Sequence, residues 1–375
     1  MRDARLRPAW IEVDLDAVAQ NVASLLSMVA PSRLCAVVKA DAYGHGAVQV
    51  AKTVLSAGAS WLGVAMVEEG IELREAGIEA PILVLSEAPA DAVGELLRWG
   101  LTPTVYSEAA LEALVERAGG EVNVQLKLDS GMARAGAEPE AALRLALAIE
   151  RSPRLVLGGV WTHFAVADRP GDPFTAHQIE VFRGFLDELA RAGISPGLRH
   201  AANTAASTIP EARFDMVRCG IGIYGLAPNA AVAARLPRLR QAVSLKAKVR
   251  SLRLLPQGTA PSYGRARPLR RDSWVANLPV GYADGVPWRL FAGGGEVLVG
   301  GRRRALAGAV TMDQILVDCE DDPPQLGEEV VLLGTQGSEV IGVEEWAERV
   351  GTIPYEIVCS LSRRLPRVHI RGGLS

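Results

Sequence analysis

The chain has 375 residues, of which 49% are hydrophobic, enough apolar material for two domains with separate cores. Its charge is nearly balanced, since 40 Lys and Arg stand against 43 Asp and Glu, whereas nucleic-acid binders usually carry a basic excess. No stretch is apolar enough for a transmembrane helix, and the basic start lacks the apolar core of a signal peptide. We therefore expect a cytoplasmic protein with no membrane and no nucleic-acid partner.

Cysteine and histidine usage narrows the chemistry further. The scattered cysteines form no CxxC pair and indicate reduced thiols: Cys35, Cys219, Cys319 and Cys359. The five histidines show no zinc spacing, so we expect no metal site. The sharpest basic run, Arg302, Arg303 and Arg304, follows a glycine pair and is predicted to be the solvated end of a hairpin.

From residue 10 to residue 235, short apolar runs alternate with helical stretches. Near-continuous apolar runs are typical of parallel strands that are buried on both faces. Eight such strands are predicted, at 34–39, 61–65, 82–85, 102–105, 122–128, 157–163, 198–202 and 216–221. Eight β–α alternations favour a (β/α)8 barrel of the TIM type. The alternative is an open, doubly wound sheet, which normally stops at five or six strands.

After about residue 236 the helical periodicity fades and proline and glycine divide the chain into short segments. Strands are predicted at 243–255, 274–278, 296–299, 314–317 and 329–333, with one helix at 343–350. This pattern predicts a mostly antiparallel β C-terminal domain over 236–375, following a barrel domain over 10–235.

Polar side chains stand at the ends of the predicted barrel strands, where a barrel of this type places its active site. In strand order they are Lys39, then Lys127 with Asp129, His163, Asn203 with Thr204, and Arg218 before Gly220 and Ile221. The strands were assigned from apolar runs alone, so the position of these polar groups is an independent indication of a site.

Lys39 is the candidate reactive group. A lysine at the end of an apolar strand loses hydration, which favours the neutral amine that attacks a carbonyl compound. A lysine that merely extends to solvent is the commoner case. Nearby, Tyr43 offers a hydroxyl to a phosphate, and the backbone around Gly220 and Ile221 offers N–H donors to an anion. Each glycine pair taken alone predicts an ordinary turn.

Nine segments in order along the chain resemble the alanine racemases, pyridoxal 5'-phosphate (PLP) enzymes of fold type III. VVKADAYGHG at 37–46 is similar to the family's cofactor-attachment motif. The others are LKLDSGMARAG (126–136), THFA (162–165), HAANTAAS (200–207), RCGIGIYG (218–225), SYGR (262–265), PVGYADG (279–285), TMDQ (311–314) and TIPYEI (352–357). The resemblance implies a PLP-binding barrel and a β domain that residues 1–9 also join, assembled as a homodimer with shared active sites.

The resemblance also implies a role for each matching residue. Lys39 would attach PLP and act as acid and base on one face of alanine, with Tyr263 of the partner subunit on the other. The expected phosphate ligands are Tyr43, Thr204, Gly220, Ile221 and Tyr355, and Asn203 is a further cofactor-binding residue. Arg218 would face the pyridine nitrogen and His163 would lie near the ring.

A second set of matching residues is expected to hold and admit the substrate. Arg134 and the Met312 backbone would bind the carboxylate of alanine, supported by Asp313 and by a carbamylated Lys127. Tyr282, Tyr355 and Arg289 would narrow the entry channel. The expected product is D-alanine for cell-wall peptidoglycan.

Two departures from the family's pattern and several alternatives stay open. Cys219 stands where proline is frequent, and Thr204 where serine is frequent. A PLP racemase of broader scope that accepts serine, a decarboxylase on the same barrel, a non-catalytic PLP carrier, and a lysine-dependent barrel aldolase are the alternatives. The carrier has only a barrel, so the second domain argues against it.

Overall fold

The chain folds into two compact units, as seen in a computed structural model that describes residues 7–372. One unit comprises residues 18–240, and the other combines the chain up to residue 17 with the part from 241 onward. These boundaries lie at 17/18 and 240/241, where the sequence predicts 9/10 and 235/236. The N-terminal difference arises because strand β1 (Ala9–Asp14) pairs within the second unit. No helix in the described range is long and apolar enough to cross a membrane.

The first unit contains eight short strands, one within or overlapping each predicted run. They are β2 (Arg33–Val37), β3 (Trp61–Val64), β4 (Ile82–Val84), β5 (Thr104–Val105), β6 (Val122–Lys127), β7 (Leu155–Trp161), β8 (Leu198–His200) and β9 (Met216–Cys219). Helices alternate with them at Leu15–Val29, Ala47–Ser56, Val67–Glu75, Val93–Arg98, Glu108–Arg117, Pro139–Arg151, Pro173–Arg191 and Ala230–Ala233.

The eight strands form a closed parallel barrel. Two runs of neighbours, β4-β3-β2-β9 and β5-β6-β7-β8, are joined on one side by a parallel bridge between Leu83 and Thr102. On the other side, the Arg218 N–H donates to the Ala202 carbonyl at 2.8 Å, and the Asp215 N–H donates to Arg199 at 2.9 Å. The predicted barrel is therefore confirmed.

Local sequence explains why the helices begin where they do and which face they bury. The Ser107 hydroxyl accepts the Ala110 N–H at 3.2 Å and caps the helix Glu108–Arg117. Pro139 opens the helix Pro139–Arg151, where the missing N–H costs nothing. That helix buries four apolar residues at helical spacing, Ala142, Leu145, Ala146 and Ile149.

The second unit is built from β1 and nine further strands. These are β10 (Val243–Lys248), β11 (Ser251–Leu255), β12 (Ser273–Leu278), β13 (Glu296–Val299), β14 (Arg302–Ala305), β15 (Ile315–Asp318), β16 (Glu329–Gln336), β17 (Glu339–Ile341) and β18 (Arg367–Ile370). One sheet has the order β14-β13-β16-β10-β1-β18 with β17 on β16, and β11-β12-β15 form another. Apart from the parallel pair β1–β18, the pairings are antiparallel, as predicted. Two helices, Val343–Val350 and Pro354–Ser360, complete the elements used below.

Two details of the predicted β domain are wrong. The run 243–255 is two strands, β10 and β11, which pair with different neighbours. The basic run at 302–304 is a solvated hairpin end only at Arg302, which follows the turn 300–301 and is exposed, whereas Arg303 and Arg304 lie within β14 and form ion pairs with carboxylates.

Candidate active site

Lys39 lies at the start of a left-handed turn that follows β2. The strand ends at Val37, earlier than predicted, and residues 40–43 all have φ between 51° and 54°. None of these four residues is glycine, so the conformation costs about 1–2 kcal/mol per residue. Such strain persists only where the surrounding structure enforces it, and it concentrates at functional sites.

Two carboxylates enforce the turn. One oxygen of Glu69 accepts the Ala40 N–H at 2.6 Å, and the other accepts the Ala65 N–H at 2.7 Å. Asp41 accepts the Ala47 N–H at 2.8 Å and so joins the turn to the next helix. Sequence reasoning missed Glu69, because an acidic residue in the first turn of a helix is ordinary.

Arg218 is the best-anchored charge at this end of the barrel. Its side chain is buried, and its terminal nitrogens donate to the carbonyls of Thr162, His200 and Ala201 and to the imidazole Nδ1 atoms of His163 and His200, at 2.7 to 3.2 Å. Burial lowers the pKa of Arg218 to about 10, so the guanidinium stays charged at neutral pH. None of these bonds uses Nε, which is therefore available to a ligand as far as the described residues show.

Both histidines beside Arg218 are neutral. Burial first, and then the charge of Arg218, hold the pKa of His163 and of His200 well below the ordinary value. The Nδ1 of His200 accepts from Arg218, so the single proton of the neutral ring lies on Nε2 and is donated to Gln125 Oε1 at 3.0 Å. Arg218 therefore keeps a full positive charge that no carboxylate neutralises through these contacts.

Lys127 adds a second buried cation. Its amine lies 4.6 Å from the centroid of the Trp161 ring and 5.8 Å from that of Tyr106. Burial, followed by the charges of Arg218 and Arg134, lowers the pKa of Lys127 to about 8. The charge of Lys39 also lowers the pKa of Lys127, whereas the charge of Asp129 raises it.

Arg134 is exposed on the loop that follows β6. Asp129 shapes that loop by accepting the N–H groups of Gly131 at 2.9 Å and Ala133 at 3.2 Å. Lys39, Lys127, Arg134 and Arg218 therefore form a cationic cluster at the carboxyl ends of the strands, suited to an anionic ligand.

Small residues and a hydroxyl form a cradle beside this cluster. The Gly220 and Gly222 N–H groups donate to the Thr204 hydroxyl oxygen at 3.1 and 3.4 Å, and the Ile221 N–H has no acceptor among the described residues. A Cβ at Gly220 would lie 2.4 Å from the Tyr43 hydroxyl oxygen, so glycine is required there. The cradle offers the Thr204 hydroxyl and the Ile221 N–H as donors, which suit a phosphate. The Asn203 Oδ1 accepts the Ala206 N–H at 2.9 Å, which leaves its amide nitrogen as a donor for a ligand.

Cys219 does not add a reactive thiol. It is fully buried, and burial raises the pKa of the Cys219 thiol to about 12, so the thiolate is absent at neutral pH. Its replacement of the proline expected from the resemblance leaves β9 paired with β2.

The second unit carries the remaining predicted residues. Tyr263, Tyr282, Met312 and Asp313 border one cleft of about 910 Å³. Tyr263 is 78% exposed and Met312 is 52% exposed, which is unusual for large apolar side chains. The loop before Tyr263 is fixed by Ser262, whose hydroxyl donates to the Ala309 carbonyl at 2.8 Å.

Two further predicted residues lie elsewhere in the second unit. Tyr355 is a half-buried residue of the helix Pro354–Ser360. Arg289 borders a smaller cavity of about 500 Å³, which Tyr282 also lines. Across residues 7–372, no group of three or more His, Cys, Asp or Glu side chains is placed to hold a metal ion.

Comparison with known proteins identifies the family. Residues 13–228 match the model of the alanine racemase N-terminal domain, and residues 242–369 match that of the alanine racemase C-terminal domain. An alanine racemase of Symbiobacterium thermophilum is 46% identical over 98% of both chains. Alanine racemase 1 of Bacillus subtilis is 39% identical over 98% of this chain and 94% of its own.

Solved structures agree with the sequence matches. The alanine racemase of Streptomyces lavendulae, which produces D-cycloserine, superposes with a TM-score of 0.92 at 38% identity and 98% coverage of both chains. The Bacillus anthracis enzyme with bound L-Ala-P gives 0.91 at 38% identity, over 98% of this chain and 96% of its own. Both domains, in the same order, are therefore accounted for, and the chain belongs to the alanine racemase family.

Proposed function

We propose that this protein interconverts L-alanine and D-alanine with PLP, using Lys39 and Tyr263 as opposed acid–base groups. The observation that carries the proposal is the cationic cluster around Lys39 at the carboxyl ends of the barrel strands. A buried, un-neutralised Arg218 and a buried Lys127 with a pKa of about 8 are costly unless an anionic ligand occupies the site.

The residues around Lys39 suit PLP, which supplies an electron-withdrawing ring that weakens the bond to the α-proton of the amino acid. Lys39 would hold the cofactor covalently through its amine. Tyr43, Tyr355, Thr204 and the N–H groups of Gly220 and Ile221 would hold its phosphate, and Asn203 would be a further cofactor contact, as the family resemblance suggests. The support for this assignment is the cradle itself, where the Tyr43 hydroxyl packs against Gly220 and the Ile221 N–H has no acceptor among the described residues.

Arg218 would act on the ring nitrogen of the cofactor through its free Nε–H. A guanidinium is permanently protonated and has no acceptor, so it keeps a proton off that nitrogen. The proton then returns to the α-carbon of the amino acid and not elsewhere. His163, held neutral beside Arg218, contributes no competing charge.

Racemisation removes the α-proton from one face and returns a proton to the other, so two groups on opposite faces are needed. Lys39 would serve the D-alanine face and Tyr263 the L-alanine face. Tyr263 would come from the partner subunit of a homodimer. The support is that Tyr263 and Met312 are largely exposed on an open cleft of a single chain, as expected for a surface that a second copy covers.

The substrate carboxylate would bind Arg134 together with the Met312 N–H of the partner subunit, which has no acceptor among the described residues. A carbamylated Lys127 would carry a negative charge that holds Arg134 in place, while Asp313 would fix the Met312 loop. Tyr282 and Tyr355 would narrow the entry channel.

We assign the reaction to the cytoplasm, where D-alanine supplies peptidoglycan synthesis. All four cysteines are free thiols, three of them buried, which is typical of a reducing compartment.

The first test is to incubate the purified protein with L-alanine, with and without added PLP, and to follow D-alanine by chiral chromatography. We expect D-alanine from the wild type and a loss of about 10⁴-fold or more in Lys39→Ala. Lys52→Ala, an exposed lysine on the next helix, is the matched control and should keep full activity. A colourless wild-type protein, or an active Lys39→Ala, would overturn the proposal. A parallel assay with L-serine compares the two substrates and so tests the alternative of a racemase with broader specificity.

The two-base assignment has its own test in Tyr263→Phe. With the L-face group removed, D-alanine should still exchange its α-proton with deuterated water through Lys39, but no L-alanine should form. Mass spectrometry and chiral chromatography on the same sample measure both. Equal loss of exchange and racemisation from D-alanine would contradict the assignment of Lys39 to the D face.

A further inference from the structure

A fully buried carboxylate, Asp284, lies beneath a surface turn of the second unit. Arg7 pairs with both of its oxygens, one at 2.7 Å, and the Gly281 N–H donates to it at 2.9 Å. The Arg364 Nε lies 3.5 Å from the same carboxylate. A buried carboxylate is tolerated only with such partners, so Asp284 is a fixed anchor for Arg364.

Arg364 also reaches the loop 311–314. Its Nη2 donates to the Asp313 Oδ1 at 2.6 Å, and the side chain of Asp313 is 53% exposed. Arg364 therefore bridges a buried anchor and an exposed loop that borders the cleft with Tyr263.

The backbone of the same loop is held from the opposite direction. The Tyr282 N–H donates to the Thr311 carbonyl at 2.9 Å, and the Ala283 N–H donates to the Met312 carbonyl at 3.1 Å. A Cβ at Gly281 would lie 2.2 Å from the Thr311 carbonyl oxygen, so only glycine permits this approach.

These bonds fix the direction of the Met312 N–H. The Thr311 carbonyl and the Met312 N–H belong to one planar trans peptide and point in opposite directions. Because the carbonyl points at Tyr282, the N–H points away from the turn 281–285. The Arg364–Asp313 contact then restrains the next residue, so the peptide cannot rotate.

We propose that Arg364, by bridging Asp284 and Asp313, is a positioning residue that aims the Met312 N–H at the substrate carboxylate. This inference rests on the proposed function, which assigns that N–H to the carboxylate. It predicts weaker binding of carboxylates when the bridge is cut, with little effect on the acid–base groups.

Asp313→Asn is the sharpest variant, because it removes the negative charge that holds Arg364 on the loop and leaves the pairing of Asp284 intact. Arg364→Ala cuts it from the other side, and Arg364→Lys should restore it in part. Arg302→Ala is the matched control, since it removes another exposed arginine–aspartate pair of the same unit, with Asp322 at 3.1 Å.

The measurements are KM and kcat for L-alanine and the inhibition constant of propionate, which has a carboxylate but no amino group. For Asp313→Asn and Arg364→Ala we expect KM and the propionate constant to rise together by about tenfold, as when a hydrogen bond to a charged group is weakened. The kcat should change by about twofold at most, and Arg302→Ala should match the wild type.

Unchanged KM and propionate constants in Asp313→Asn would overturn the inference, even if thermal stability falls. If Arg364→Ala fails to fold, Asp313→Asn still decides. Failure of the proposed function looks different, because the wild type itself would then form no D-alanine.

Discussion

Arg218 in the barrel and Arg303 in the β unit are both shielded from solvent to some degree, but the groups that accept their hydrogen bonds differ in charge. Arg218 donates to carbonyl oxygens and neutral imidazoles. Arg303 donates to three carboxylates, Glu296, Glu339 and Glu345, at 2.8 to 3.2 Å. The first arrangement preserves a positive charge and the second cancels it.

The difference separates a binding site from architecture. In the barrel, burial and then the neighbouring cations lower the pKa of Lys127 to about 8 and hold that of His163 well below its ordinary value. In the β unit, Arg303 lowers the pKa of Glu345 and the pair satisfies itself. Charge left un-neutralised in a buried place indicates a ligand, whereas a neutralised network is typical of fold stabilisation.

The largest effect on this comparison is expected when the un-neutralised Arg218 is itself replaced by a carboxylic acid. Arg218→Glu places a carboxyl group that can hold a proton where the guanidinium excludes one. We expect D-alanine formation to fall about 10²–10³-fold, while release of pyruvate from alanine rises, because the proton returns to the wrong atom. Chiral chromatography and a pyruvate assay measure the two.

Arg218→Lys is the companion variant, because it keeps the charge and loses the fork of hydrogen bonds. It should lose racemase activity without gaining pyruvate release. A folded, yellow Arg218→Glu protein with no rise in pyruvate would contradict the role assigned to this charge.

The second prediction concerns Lys127. With a pKa of about 8, roughly a tenth of the amine is neutral at pH 7, and this fraction grows as pH rises. The neutral amine adds to CO2 and releases a proton, which leaves a carbamate anion. Labelling with ¹³CO2 should therefore give a carbamate NMR signal that increases toward pH 8 and is missing from Lys127→Ala.

Lys127→Ala removes the carbamate that would hold Arg134 in place. We expect KM for alanine to rise about tenfold in Lys127→Ala with a smaller change in kcat, because Arg134 loses a charge-assisted partner. A well-resolved density map of the folded protein with a bare amine at Lys127 would refute the modification.

The barrel was predictable because its strands are buried on both faces, so their apolar runs are visible locally. Every predicted run from 34–39 to 216–221 contains or overlaps a strand. The edge strand β14 was not predictable, because its residues are Arg302, Arg303, Arg304 and Ala305. Two partners of Arg303, Glu339 and Glu345, lie 36 and 42 residues further along the chain, so no local pattern reveals these ion pairs.

The residues of the candidate site likewise include some that the sequence predicts and some that it does not. Lys39, Lys127 and Arg218 follow from the rule that barrel sites lie at strand ends. Glu69 and Gln125 do not, because each acts through one hydrogen bond to a residue far along the chain. Nor does the sequence predict four non-glycine residues in a left-handed turn, which depends on that contact with Glu69.

The smallest expected effect concerns Glu345, a member of the ion-pair network that neutralises Arg303 in the β unit. Glu345 accepts from Arg303 at 2.8 and 2.9 Å and from Arg349 at 3.0 Å, and its side chain is 25% exposed. Because the hydrogen bond from Arg303 lowers the pKa of Glu345, its stabilisation is present above the unfolded-state pKa. It is lost as pH falls through the lower folded-state pKa.

Glu345→Gln should therefore lower the free energy of unfolding by about 0.5–1 kcal/mol near pH 7 and the melting temperature by about 2 °C. The difference from the wild type should shrink as the pH is lowered through the range in which Glu345 takes up its proton. Glu140→Gln is the control, since Glu140 pairs with Arg144 while 93% exposed, and it should shift the melting temperature less. Racemase KM and kcat should be unchanged in both variants. A change in KM or kcat would mean that the ion pairs of Arg303 and Glu345 influence catalysis as well as the stability of the fold.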